Sequence, residues 1–357
     1  MRTAEFDYVL PPERIAQQPA PQRDQSRLLV LRRPTGQLEH RRFADVAEYL
    51  RAGDVLVLND SRVIPARLRG RKGAAGGQVE LLLVEECGVN DWWALLRPGK
   101  RVRPGTELRF STVAGQPSAV TATVCVKNAA GHCRLRFAGV PDIRAALGEL
   151  GDVPLPPYIE RPSGTSAEDH ARYQTVYARR PGSVAAPTAG LHFTEALLEA
   201  LRARGVQIAF VTLHVGLGTF APVKARTVEA HSLHEESYVV GAETARLVTE
   251  ARNEGRRVIA VGTTTVRVLE SVAGTHAGAL VAAAGRTRLF IYPPFRFQVV
   301  DALVTNFHLP KSTLLMLVSA FAAPGETRGR DLVLAAYAEA IRQCYRFYSY
   351  GDAMLVL

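Results

Sequence analysis

Residues 242–272 read AETARLVTEARNEGRRVIAVGTTTVRVLESV. Apolar positions recur with a helical period through 242–253, and four consecutive apolar residues at 258–261 then suit a short buried strand. Gly262 breaks the run, and helical period returns over 264–272. Helix, buried strand, glycine turn, helix is the order of a layered α/β sheet. The order recurs outward in both directions. Upstream, 55–59 is a buried strand, 195–204 an amphipathic helix and 207–213 a strand. Downstream, 300–305 is a strand and 312–321 a helix.

Residues 63–154 interrupt that alternation. Strand-like runs at 78–84, 92–96, 119–126 and 133–137 are separated by Gly, Pro and Asn turn signals, with little helical period before 143–150. Short strands at this spacing predict a small antiparallel β-barrel. The expected architecture is an α/β layered domain with that barrel inserted into it. Residues 1–62 form the first part of the α/β domain, 63–154 the barrel and 155–357 the remainder.

A chain of 357 residues exceeds one compact core. With 47% hydrophobic and 22% charged residues it can bury a sizeable interior, which excludes a disordered or fibrous protein. Lys and Arg total 44 against 34 Asp and Glu, a formal net charge of +10. By segment the net charge is +1, +5 and +4, so half of the surplus falls on the insert, about a quarter of the chain. Arg67, Arg69 and Arg71 alternate with Ala66, Leu68 and Gly70, so a strand there projects three guanidinium groups from one face. RPGKRVRPG sets Arg97, Lys100, Arg101 and Arg103 around two Pro-Gly turns. Both features suit phosphate contacts that position a nucleic acid without reading its bases, the alternative being a solvated barrel face.

Four cysteines show no C-x-x-C spacing, and the opening MRTAEFDYVLPPER lacks the apolar stretch of a signal peptide. The longest apolar run, 314–323, is half of the roughly 20 residues a membrane span needs. A soluble cytoplasmic protein with reduced thiols is expected.

Polar loops at strand ends are where α/β sheets bind ligands. Thr263, Thr264 and Thr265 stand at a helix N-terminus, a cradle for a carboxylate or phosphate, with plain capping as the alternative. VTLHVGLGTF carries His214, Gly216, Gly218 and Thr219, without the full G-x-G-x-x-G of a dinucleotide site. VTNFHLPKST carries Asn306, His308, Lys311 and Ser312, PTAGLHFT carries Thr188, Gly190 and His192, and HSLHEESY carries His231, His234, Glu235 and Glu236. Asn59 ends the strand at 55–59 and Asp60, Ser61 and Arg62 follow it, and Tyr350 and Asp352 lie near the C-terminus. A single such histidine is most often a structural hydrogen-bonder. Five of nine beside Gly, Thr, Asn or Glu in loops point to a shared polar pocket. A zinc site would fit HExxH or HxxEH, and a serine hydrolase G-x-S-x-G; neither occurs.

Taken together, FDYVLPPERIAQQPAPQRDQSRLLVL, GDVLVLNDSRVIPARL, RYQTVYARRPGSVAAPTAGLHFT, VTLHVGLGTFAPV, VIAVGTTTVR, VDALVTNFHLPKSTLLMLVSAFA and YRFYSYGDAM closely resemble the S-adenosylmethionine:tRNA ribosyltransferase-isomerase family of queuosine biosynthesis. The resemblance spans the chain and is weakest in the insert. It implies an α/β domain interrupted by a barrel. The implied reaction moves the ribosyl portion of S-adenosylmethionine, isomerised to an epoxycyclopentanediol, onto 7-aminomethyl-7-deazaguanine at the tRNA wobble position. Adenine and methionine leave. S-adenosylmethionine is a consumed co-substrate, and neither a metal nor a permanently bound cofactor is expected.

The implied chemistry needs a base for a C5′ hydrogen acidified by the sulfonium, a proton donor for departing adenine, and a neutral incoming amine. We assign these roles to His214, His234, Glu236 and His308, with Asp60 a lesser contributor. Thr263 to Thr265 would hold the methionine carboxylate, assisted by Arg267. RNA recognition would combine phosphate contacts with a splayed-out base. A monomer is expected, since no heptad pattern occurs. Three positions depart from the family pattern: Leu233 stands for Met, Pro294 for Gly, and Val268 for a small hydroxyl residue.

Overall fold

Val55–Asn59 is buried at all five positions, as befits a strand covered on both faces. Val55 and Val57 pack into one apolar layer, Leu56 and Leu58 into the other. This is the period-two alternation of a strand. In the computed structural model, which describes residues 1–73, 76–162, 164–216 and 223–357, this strand sits within a nine-stranded sheet. Among the described residues the order is Ala283–Thr287, Glu236–Val240, Gln207–Leu213, Val55–Asn59, Val258–Val261, Ala302–Asn306, Ala353–Val356, Arg27–Arg32, Gln37–Arg42. The four strands from Gln207–Leu213 to Ala302–Asn306 are parallel, and Ala353–Val356 then runs antiparallel to Ala302–Asn306.

The helices fall where the periodicity puts them: Glu195–Ala203, Ala242–Asn253, Thr263–Thr275 and Thr313–Ala322. Gly262, at φ +88°, makes the sharp strand-to-helix turn that a residue with a Cβ would resist. Helix Gly329–Arg342 was not read from the sequence. Nor were the strands Arg27–Arg32, Gln37–Arg42, Ala283–Thr287 and Ala353–Val356. Among the described residues no helix is long and apolar enough to cross a membrane.

The insert is a closed antiparallel barrel of Arg67–Lys72, Gln78–Gly88, Asp91–Arg97, Cys133–Ala138, Pro117–Lys127 and Glu107–Ser111, the last pairing back onto the first. Leu68 and Gly70 are buried while Arg69 and Arg71 are exposed, so the arginine row does lie on the outer face. Helix Ile143–Leu150 plugs the barrel with Ile143, Leu147 and Leu150. Asn90 orients that helix, its Oδ1 accepting from the Ile143 amide at 2.7 Å. The architecture is the α/β domain with an inserted barrel that the sequence predicts.

Candidate functional site

Strand Asp91–Arg97 turns Trp92, Ala94 and Leu96 into the barrel core, which leaves Trp93, Leu95 and Arg97 facing outward. That outer wall, with Arg67 and Leu82, meets the carboxyl end of Gln207–Leu213 across a cavity of about 930 Å³. Its size is near the top of the roughly 300–1,000 Å³ range of small-molecule sites. The segment 154–157 floors it, and His214, Gly216, His234, Glu236 and Arg267 face it from the α/β side.

Glu236, the first residue of its strand, is buried, as is Arg267. Its Oε1 accepts from the Gly216 amide at 2.8 Å, and Oε2 accepts from Arg267 Nη1. Arg267 Nε donates to the Leu289 carbonyl at 2.9 Å, and among the described residues Nη2 is buried with no hydrogen-bond partner. An unpaired buried guanidinium nitrogen at a cavity wall is a place for an anionic group. His214 extends from the end of Gln207–Leu213 and its Nδ1 is likewise buried without a partner among the described residues. Burial pushes its pKa down; Asp60 opposes that and Arg180 adds to it. The ring is therefore a neutral imidazole at neutral pH, in the protonation state of a base. Gly182 makes room for it, since a Cβ there would stand 3.0 Å from Cε1.

His234 faces His132 of the barrel, ring centroids 6.3 Å apart. Burial, and then His234, hold the His132 pKa below its usual value. Beside them Arg286 bridges the domains, with Nη1 2.6 Å from Glu85 of the barrel and Nε 2.9 Å from Glu235; Arg288 also reaches Glu235 at 3.0 Å. Among the described residues no three His, Cys, Asp or Glu side chains are grouped to hold a metal ion.

A sequence profile for "Queuosine biosynthesis protein" matches residues 3–356. This chain belongs to the queuosine biosynthesis protein family. It is 51% identical over 358 residues to the S-adenosylmethionine:tRNA ribosyltransferase-isomerase of Carboxydothermus hydrogenoformans (strain ATCC BAA-161 / DSM 6008 / Z-2901), and 49% identical over 358 residues to the enzyme of that name from Staphylococcus haemolyticus (strain JCSC1435). Both alignments cover 100% of each chain. The crystal structure of S-adenosylmethionine tRNA ribosyltransferase from Thermotoga maritima is similar, with a TM-score of 0.55 at 44% identity, covering 99% of this chain and 100% of that one.

In this queuosine-family chain several residues singled out by sequence lie away from the cavity. His308 is buried, its Nε2 2.8 Å from Thr305 Oγ1, and burial takes its pKa down to about 3. His192 is also pushed down to about 3 by burial; it lies between Ser26 Oγ at 2.7 Å and Asn306 Nδ2 at 3.1 Å. With Nε2 accepting from that amide, Nδ1 carries the proton and donates to Ser26, so the pair is not an activated nucleophile. Asn59 ties neighbouring strands together, its Oδ1 accepting from the Leu213 and Ser61 amides. Asp60 accepts from Thr212 Oγ1 at 2.6 Å and lies 3.4 Å from Arg179. Ser61 is buried beside it, and Arg62 is exposed.

Thr265 Oγ1 donates back to the Val261 carbonyl, and Thr264 Oγ1 lies 3.4 Å from Asn59 Nδ2. Thr263 is buried with them, and none of the three lines the cavity. Ser312 caps helix Thr313–Ala322, and Lys311 pairs with Asp7 at 2.6 Å. Tyr350 is buried against Asp169, while Asp352 accepts from the Arg27 and Arg346 amides. Thr188 and Gly190 form a tight turn in which a Cβ on Gly190 would meet the Tyr177 hydroxyl at 1.9 Å. Gly218 and Thr219 lie outside the described residues.

Of the basic set, Arg67 and Arg97 line the cavity. Arg69 leans toward Asp152 at 3.7 Å, and Arg71, Lys100, Arg101 and Arg103 are exposed on the barrel. Lys127 holds their loop, donating to the Gly99 carbonyl at 2.7 Å. Trp93, His132, Arg286 and Arg288 were not anticipated. Trp93 sits in an ordinary barrel strand, His132 in the turn before Cys133–Ala138, Arg286 on the edge strand Ala283–Thr287 and Arg288 just past its end, so no motif marks them.

Proposed function

We propose that this chain transfers and isomerises the ribosyl portion of S-adenosylmethionine onto 7-aminomethyl-7-deazaguanine at the wobble position of tRNA, giving epoxyqueuosine-tRNA, adenine and methionine. Family membership supports the reaction class. One observation carries its assignment to this cavity: two buried polar atoms without partners among the described residues, His214 Nδ1 and Arg267 Nη2, stand around Glu236 opposite a barrel wall that carries Arg67 and Arg97. His214, neutral through burial, removes the C5′ proton. Arg267 Nη2 receives the methionine carboxylate, and Glu236 fixes Arg267 and the Gly216 amide. His234, exposed at the mouth, exchanges protons with departing adenine and incoming amine. His308 and Asp60 act through the packing around these groups, and Thr263 to Thr265 through the start of the helix that carries Arg267.

The barrel arginines dock the tRNA backbone. The enzyme works as a cytoplasmic monomer with no metal or permanently bound cofactor; its four cysteines are unpaired thiols, which suits a reducing compartment. The test is incubation with S-adenosylmethionine and tRNA bearing the aminomethyl-deazaguanine base, followed by measurement of free adenine. Folded protein that releases none removes this reading.

A further inference from the structure

We propose that Trp93 is a stacking platform for an unpaired RNA base flanking the one that enters the pocket, an inference that rests on the RNA reading above. Trp93 is half-buried in the barrel wall of the cavity, on the same strand face as Leu95 and Arg97. Its cross-strand neighbours are already engaged. Arg134 grips Asp91 through two 2.8 Å hydrogen bonds, and Glu85 pairs with Arg286. Among the described residues no aromatic ring or guanidinium stacks on the indole.

An indole bordering an open cavity presents a large apolar π face that gains from being covered. The occupant follows from its surroundings. The groups suited to S-adenosylmethionine, His214 and Arg267, stand on the α/β wall, whereas Trp93 shares its wall with Arg67 and Arg97 and with Glu80, Glu85 and Glu86, each of which already has an arginine partner: Arg67 at 3.8 Å, Arg286 at 2.6 Å and Arg144 at 3.6 Å. A π face for a base with guanidinium groups nearby for the backbone is the combination used by single-stranded nucleic-acid sites. The cavity has room for a flanking base as well as a nucleoside-sized co-substrate.

The chain has two tryptophans and both border the cavity, Trp92 buried and Trp93 partly exposed, so quenching of indole emission is assigned to Trp93 by comparison with Trp93→Leu, which keeps Trp92. The experiment titrates the full chain with a tRNA anticodon stem-loop, following indole emission and, separately, anisotropy of the labelled RNA. We expect wild-type emission to be quenched along the binding isotherm. Trp93→Leu should lose the quench and bind roughly 5- to 140-fold more weakly, the range that stacking one base supplies. Trp93→Phe, which restores a ring, should bind more tightly than Trp93→Leu. Unchanged affinity in a folded Trp93→Leu, or RNA binding without quench, overturns the stacking role and leaves the RNA reading standing. Quench by S-adenosylmethionine without RNA also overturns it, by assigning the indole to the other substrate. Folded wild type that binds no RNA removes the RNA reading itself.

Discussion

His192, His308 and His214 show how surroundings divide one residue type into different roles. His192 has partners on both ring nitrogens and His308 on Nε2, and burial holds both pKa values at about 3. Because these lie below the unfolded value near 6.5, the unfolded chain binds protons first as pH falls. Stability is indifferent to them above pH of about 6.5. Below it each costs roughly 1.4 kcal/mol per pH unit until the folded pKa is reached. Urea midpoints between pH 7 and 4 should therefore fall steeply, and less steeply in His308→Asn. His214 is different: its Nδ1 has no partner among the described residues and it borders the cavity. His214→Ala should lower kcat by about 10²–10⁴, the usual worth of a general base, with S-adenosylmethionine binding largely retained. Near-wild-type adenine release by this variant would remove the assignment. Arg267→Lys keeps the charge but not the fork, and should raise KM for S-adenosylmethionine while leaving the unfolding midpoint closer to wild type than Arg267→Ala does.

At the scale of elements, periodicity was readable in the central helices and strands but not in Ala353–Val356, whose four buried positions are too few to show a period. Ala242–Asn253 and Gln207–Leu213 stand at their expected bounds. Helix Gly329–Arg342 escaped because its buried face includes Gly329, Ala336 and Ala340, small residues that carry little apolar signal. They are small because another helix comes close: a Cβ on Gly329 would lie 2.1 Å from the Ser319 carbonyl oxygen. Gly329→Ala should destabilise by about 1–3 kcal/mol through overpacking, measurable as a lower urea midpoint, with kcat of the folded enzyme unchanged. The threonine triplet makes the opposite point. It looks like a ligand cradle in the sequence, yet Thr265 bonds the Val261 carbonyl at the end of the preceding strand and none of the three lines the cavity. Hydroxyl-rich helix starts mark an N-terminus without saying whether a ligand or the backbone uses the hydroxyls.

For the whole molecule, the insert is more than a docking handle. Placing the basic surplus on one segment and the polar loops on another predicted two separable surfaces. The structure puts Arg67 and Arg97 in the same cavity as His214 and Glu236. Charge reversal at Arg101 and Arg103 should weaken tRNA binding and flatten its salt dependence with S-adenosylmethionine affinity intact, while Arg67→Glu should affect both. Equal losses from all three would argue against a graded approach from barrel loop to cavity. The Arg286 bridge between Glu85 and Glu235 is half-exposed, so a double-mutant cycle on Glu85 and Arg286 should give a coupling of at most about 1 kcal/mol in stability.

The sequence by itself determined the two folding patterns, the interruption of one by the other, the family motifs and the residue types the chemistry needs. These depend on local periodicity and on short contiguous strings. Only the tertiary structure decided which histidine keeps a buried ring nitrogen without a partner among the described residues, which donor of Arg267 is left over beside the cavity, and that Trp93 and Arg97 face the α/β domain. Those properties arise from residues far apart in the chain meeting across a cavity, where burial and unmet hydrogen bonds separate a reactive side chain from a structural one.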